Sequence, residues 1–109
     1  MPSYSKNDVI LVRYPFAELT GSKVRPAIVV SAPHPSQDLF VMPLTSRTAG
    51  LLAGEFVLGN WAEAGLNVQT AVKRGVYTVH ERLVAKKVRS LIEPDARNVE
   101  TSLRGWLGL

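Results

Sequence analysis

Val24-Arg25-Pro26-Ala27-Ile28-Val29-Val30-Ser31 and, beyond a turn, Leu39-Phe40-Val41-Met42-Pro43-Leu44 are the two stretches on which the fold turns. The first is almost continuously apolar and rich in β-branched residues, the composition of a central strand buried on both faces. The second is another strand, with Pro43 near its end. A proline cannot donate to a ladder, so it marks a strand end or an edge. Between them, Ala32-Pro33-His34-Pro35-Ser36-Gln37-Asp38 carries two prolines and reads as a turn. An antiparallel hairpin centred on Pro35 pairs positions whose numbers sum to about 70, which sets Arg25 opposite Thr45. Directly opposed residues have Cβ atoms about 4.5–5.5 Å apart. An arginine, a threonine and the adjacent Ser46 therefore meet at one end of the sheet.

The rest of the chain extends this pattern. Asp8–Tyr14 is a strand closed by Pro15, and Phe16–Lys23, with Gly21 and Ser22, is an exposed hairpin loop. Thr45–Gly54 is a loop, Glu55–Leu58 a short strand, and Asn60–Ala64 one helical turn capped by Asn60. Gln69–Val72 and Val76–His80 are short strands around Arg74-Gly75, and Leu83–Leu91 is another. The period then changes. Pro94 suits a first helical position and Asp95 the positive helix N-terminus. Val99, Leu103, Trp106 and Leu107 fall on one helix face. Short strands followed by one terminal helix predict a mainly β (α+β) domain: a small barrel with a covering helix, in one domain over residues 1–109.

Composition narrows the chemistry. The chain has 109 residues, 46% of them hydrophobic and 20% charged, enough for a core and too mixed for disorder. It has no cysteine, which removes disulfides, thiol nucleophiles and cysteine metal sites, and two histidines give little basis for a metal centre. No metal and no cofactor are expected. No apolar run reaches the ~20 residues of a membrane helix, and the N-terminus lacks the apolar stretch of a signal peptide, so a cytoplasmic protein is expected. The net charge is +4, and Lys73–Arg89 alone carries six basic residues against Glu81, +5 in 17 residues. Such a surface attracts polyanions, nucleic acid or an acidic peptide, although a solvated strand face has the same composition.

Phosphate-loop, nucleophile-elbow and dinucleotide-binding spacings are missing. His34 lies between prolines in a turn and His80 at a strand end, positions typical of surface residues. The Arg25, Thr45, Ser46 cluster remains. A guanidinium is a planar permanent cation that matches phosphate oxygens, and a neighbouring hydroxyl can hold another oxygen of the same group. Together they suit the charge that builds on a phosphorane-like transition state. RNA carries its own nucleophile, the 2′-hydroxyl, and so needs neither a metal nor a cysteine. A surface ion pair at Arg25 and a turn capped by Thr45-Ser46 is the plain alternative.

The order of these features resembles the MazF/PemK-like toxins of bacterial type II toxin–antitoxin systems. The match runs through Asp8-Val9-Ile10-Leu11-Val12 with Pro15-Phe16 and, most distinctively, Gly21-Ser22-Lys23-Val24-Arg25-Pro26-Ala27-Ile28-Val29-Val30-Ser31. It continues with Pro43-Leu44-Thr45-Ser46, Trp61 with Ala64-Gly65-Leu66, and Thr70-Ala71-Val72-Lys73. The resemblance implies an SH3-like barrel, usually homodimeric. It implies a metal-independent, sequence-specific endoribonuclease that cuts single-stranded RNA to 2′,3′-cyclic phosphate and 5′-hydroxyl ends. A cognate antitoxin with an acidic tail silences such toxins. By resemblance Arg25, Thr45 and Ser46 are catalytic, and Phe16, Lys23, Arg47, Thr70, Lys73, Arg74 and Tyr77 bind RNA. Two positions depart from the pattern. Asn7 replaces a common glycine, and Gly75 replaces an acid found in some members, leaving Tyr77, His80, Glu18 or Glu81 as substitute bases. A barrel that binds a protein target such as gyrase, a non-catalytic nucleic-acid-binding barrel, and a module that takes a protein partner at its sheet edge are the competing readings.

Overall fold

The computed structural model describes residues 4–14 and 23–109. It contains strands β1 (Asp8–Tyr14), β2 (Lys23–Val29), β3 (Asp38–Thr45), β4 (Phe56–Val57), β5 (Ala71–Val72), β6 (Tyr77–His80) and β7 (Val84–Ser90), then helix α1 (Glu93–Leu107). The segment read as a hairpin loop, Phe16–Lys23, falls outside the described residues apart from Lys23, which opens β2.

The register of β2 on β3 is the expected one: Ala27 pairs with Pro43, Ile28 with Met42 and Val29 with Val41. Along its other edge β3 pairs with β6 from Asp38 to Val41 and with β5 at Leu44 and Thr45. Lys73–Val76 bulges out between β5 and β6, held by the Lys73 amide on the Pro43 carbonyl at 3.0 Å. β1 pairs with β2 on one edge and β7 on the other, with two register shifts along β7. Such bulges sharpen strand twist. A 3₁₀ turn, Glu81–Leu83, links β6 to β7, so β1, β2, β3, β6 and β7 run round a small barrel whose last gap that turn bridges. The turn was not foreseen. Its N-cap is His80, whose Nδ1 accepts the Arg82 amide, and His34 is likewise a turn residue, its Nδ1 accepting the Ser36 amide.

Period-2 alternation sends neighbouring residues into two cores. Ile10, Val12, Ala27, Val29, Leu39, Val41 and Val79 fill the barrel. Val9, Ile28, Met42, Leu44 and Val72 face outward and are covered by Leu58, Ala64 and Val99, with Trp61, Leu103 and Trp106 around them. This double burial is why β2 is apolar without alternation. On α1, Val99, Leu103 and Trp106 pack as expected. Leu107 does not: it is the last residue of the helix and 55% exposed.

Two buried carboxylates lock the outer layer. Asp95 sits in the first turn of α1 but accepts the amides of Gly59 and Asn60, both at 2.9 Å. That ties the helix start to residues 59–65, which form turns, among them the single turn expected at Asn60–Ala64, closed by the Ala64 amide on the Asn60 carbonyl. Glu55, its side chain 2% exposed, accepts the amides of Leu52 at 2.7 Å and Arg74 at 2.9 Å, with Lys73 Nζ at 3.9 Å. Nearby, Trp106 Nε1 donates to the Ala53 carbonyl and Ser102 to that of Gly54. Gly54 has φ +86°, and a Cβ there would lie 2.5 Å from Trp106 Nε1, so both backbone and space require glycine. Asn7 has φ +79°, a left-handed backbone that asparagine tolerates better than most side chains.

Asp95→Ala strands two amides, and urea unfolding is expected to show a loss of about 2–3 kcal/mol. Hydrogen bonds from the Arg74 and Leu52 amides, with help from the Lys73 and Arg74 charges, hold the Glu55 carboxyl below its ordinary value of 4.5, against the opposing effect of burial. A depressed carboxylate stabilises the fold above that ordinary value and loses its contribution as pH falls through the folded-state value. Glu55→Gln is therefore less stable than the parent at neutral pH, and the gap narrows below pH 4.5. A constant gap in melting curves from pH 3 to pH 7 contradicts this role.

Candidate functional site

Arg25 is the third residue of β2, and Thr45 is the last of β3. Continuing the observed pairing from Ala27 and Pro43 sets them opposite one another, on the side of the sheet that also carries Ala27 and Val41. Both line a groove of about 480 Å³ together with Ser46, Asn67, Thr70 and Lys86. Arg25 is exposed and forms no ion pair among the described residues. Its charge is available to a ligand.

Each hydroxyl has a definite state. Thr45 Oγ1 accepts the Arg47 amide at 3.0 Å, a bond that does not use its own proton. Ser46 is exposed. Thr70 is buried and donates to the Val68 carbonyl at 2.9 Å, so it shapes the groove wall. Gly65 closes the wall beneath: its φ is +90° and a Cβ would meet Val88 Cγ1 at 2.4 Å. The described lining contains no Asp, Glu or His, and no group of three or more His, Cys, Asp or Glu among the described residues is placed to hold a metal ion.

Other expected site residues scatter. Tyr77, 51% exposed, meets Arg25 across a second cavity, lined also by Pro26, Pro43 and Leu83. Arg47 is exposed beside Thr45. Lys73 and Arg74 lie elsewhere. Lys73 approaches Glu55, and the Arg74 guanidinium stands 6.0 Å from the Trp106 ring centroid, over the far end of the helix. Lys23 begins β2, and Phe16 lies outside the described residues. The basic run Lys73–Arg89 is thus not one patch. Strand alternation divides it: Lys86 enters the groove, whereas Lys87 pairs with the buried Asp8 at 3.4 Å. Lys86 was not singled out from the sequence. Its pairing with Leu11 across β1 and β7 is what brings it there. Asn67 was missed too, since loop residues carry no periodic signal.

The comparisons with known proteins agree with this architecture. A mycobacterial endoribonuclease in complex with its cognate antitoxin superposes with a TM-score of 0.77 at 14% identity, covering 100% of this chain and 97% of the other. A second mycobacterial endoribonuclease gives 0.75 at 16% identity, covering 100% and 95%. The Mycobacterium tuberculosis toxin MazF-mt6 gives 0.71 at 17%, covering 94% and 97%. At these identities the likeness concerns the fold. A search of curated proteins by sequence gives no significant match. No helix among the described residues is long and apolar enough to cross a membrane. The family model for the PemK-like, MazF-like toxins of type II toxin–antitoxin systems matches residues 5–107, and the chain belongs to that family.

Proposed function

We propose that the chain is a metal-independent endoribonuclease toxin that cuts single-stranded RNA, including messenger RNA, at short sequences and thereby inhibits translation and growth. The observation that carries this reading is the convergence of Arg25, Thr45 and Ser46 in one groove beside Lys86. The groove presents cations and hydroxyl donors and, among the described residues, no carboxylate, which suits a phosphodiester.

In this reading the RNA 2′-hydroxyl attacks the adjacent phosphorus as its proton passes to solvent, and the bond to the 5′-oxygen breaks as that oxygen takes up a solvent proton, giving a 2′,3′-cyclic phosphate and a 5′-hydroxyl end. Arg25 stabilises the charge gathering on the non-bridging oxygens. An arginine side chain holds its proton throughout, so it acts as cation and donor rather than as a base. Thr45, whose proton the bond from the Arg47 amide does not use, holds a phosphate oxygen, and Ser46 positions the loop or a second oxygen. Lys86 and Arg47 attract the backbone. Gly75 supplies no carboxylate, so acceleration rests on charge stabilisation and alignment of the attacking oxygen.

Several partners follow. An antitoxin segment rich in acidic residues competes for the same cations, and the chain acts as one domain, in homodimers, in the cytoplasm. Phe16, Lys23, Arg47, Thr70 and Tyr77 contribute to RNA binding, and Lys73 and Arg74 act only on RNA long enough to reach the helix side.

Arg25→Ala is expected to lower kcat/KM by about 10²–10³-fold, the usual effect of removing one donor to a developing charge. Thr45→Val costs less, about tenfold, since a hydroxyl's single hydrogen bond to the phosphate is lost while the Arg25 cation remains. Because Arg25 is exposed, its melting temperature stays near the parent's. An Arg25→Ala protein that cuts as fast as the parent overturns the assignment. A folded parent that binds RNA with steep salt dependence and never cuts it indicates the non-catalytic barrel instead.

A further inference from the structure

Arg25 stands on the ridge between two cavities of opposite character. One is the polar groove already described. The other, about 490 Å³, opens at the end of the barrel and is walled by Pro26, Pro43, Tyr77, Thr78 and Leu83. Its lining is largely apolar. Tyr77 continues the line of interior residues through Val79, since Tyr77 pairs with Val41 and Val79 with Leu39. At the last position of that line the barrel stops enclosing it, and the ring is half exposed.

Gly75 bears on the same ring. A Cβ built at position 75 would lie 3.1 Å from Tyr77 Cε2 and 3.2 Å from its hydroxyl. The tyrosine thus occupies the space that a side chain at 75 would enter. With glycine there, the ring lies against the bulge that joins β5 to β6, beside Arg25's second cavity.

We propose that this apolar cavity is a nucleobase subsite, in which one unstacked base of the bound RNA lies against Tyr77 while its phosphate is held by Arg25. The proposal rests on the RNA-cleaving reading and deepens it. Single-stranded RNA offers a flat π-face attached to an anionic phosphate, and the protein offers an apolar cavity and a cationic groove that share one arginine. Aromatic rings are general partners for splayed-out bases. Pro43 and Leu83 supply apolar walls on the face that Tyr77 shares. The subsite makes Tyr77 a specificity-determining residue, and Gly75 keeps it in place.

The test separates base binding from cleavage. Pools of 2′-O-methyl RNA, which lack the attacking hydroxyl, carry 4-thiouridine or 6-thioguanosine as photoreactive bases. They are cross-linked to the full-length protein, and the adducts are mapped by peptide mass spectrometry. Adducts on the Tyr77–Thr78 strand that fall away in Tyr77→Ala and persist in Tyr77→Phe support the subsite. Adducts confined to other elements overturn it. In parallel, a randomised natural RNA is cut by parent, Tyr77→Ala and Tyr77→Phe. Tyr77→Ala is expected to raise KM roughly tenfold and to flatten base preference at one position beside the cut, with Tyr77→Phe close to the parent. An unaltered cleavage profile and KM in Tyr77→Ala overturns the subsite while leaving the nuclease reading intact. Cross-links at Tyr77 from a parent that cuts nothing uphold the subsite and overturn the nuclease.

Discussion

The groove that holds Arg25 and Thr45 depends on the register of β2 against β3. Side chains alternate along a strand, so a slip of one residue would send each of them to the opposite face. In the observed register Ala27, Val29 and Val41 fill the barrel, and the same parity carries Arg25 and Thr45 to its open end. The register is fixed by burial, because Ile28 and Met42 are needed outside against the helix layer just as Ala27 and Val41 are needed inside. A site residue at the end of such a strand is positioned by the core and costs that core nothing. Arg25 is therefore held on a rigid element while its charge stays in water.

The outer layer solves a different problem. Residues 46–70 have little regular structure, yet they supply one wall of the groove through Ser46, Asn67 and Thr70. Their amides cannot all find partners in a sheet, and buried carboxylates accept some of them instead. Asp95 holds Gly59 and Asn60, and Glu55 holds Leu52 and Arg74. Asp95 ties these residues to helix α1, and Glu55 joins its own loop to the segment that follows β5. Basic residues at β5 are taken up in this work: Lys73 turns to Glu55 and Arg74 to Trp106. Cations that the sequence places in one run thus serve two ends of the protein.

How much of this was legible beforehand follows from which forces are periodic. Strand positions, the terminal helix and the register summing to 70 were readable, because apolar alternation, prolines and turn residues report them directly. The trio at Arg25 followed from that register. The 3₁₀ turn at Glu81–Leu83 carries no apolar period and is not legible in the sequence. Lys86 was hidden because its placement depends on the bulged pairing of β1 with β7, which no local pattern encodes. Leu107 matches the helix period but is the last residue of α1 and stays exposed. Asp95 was read as a charge favouring its own helix, whereas its carboxylate bonds to residues 35 and 36 positions away.

The most direct measurement is the chemistry of the ends produced by the parent protein from a long single-stranded RNA in excess EDTA. The account predicts discrete cuts with 5′-hydroxyl and 2′,3′-cyclic phosphate ends. Those are the products of 2′-hydroxyl attack stabilised by Arg25 and Thr45. Cuts that stop in EDTA, or that leave 5′-phosphate ends, would contradict it, because they require a nucleophile other than the RNA's own 2′-hydroxyl or a metal ion to activate one.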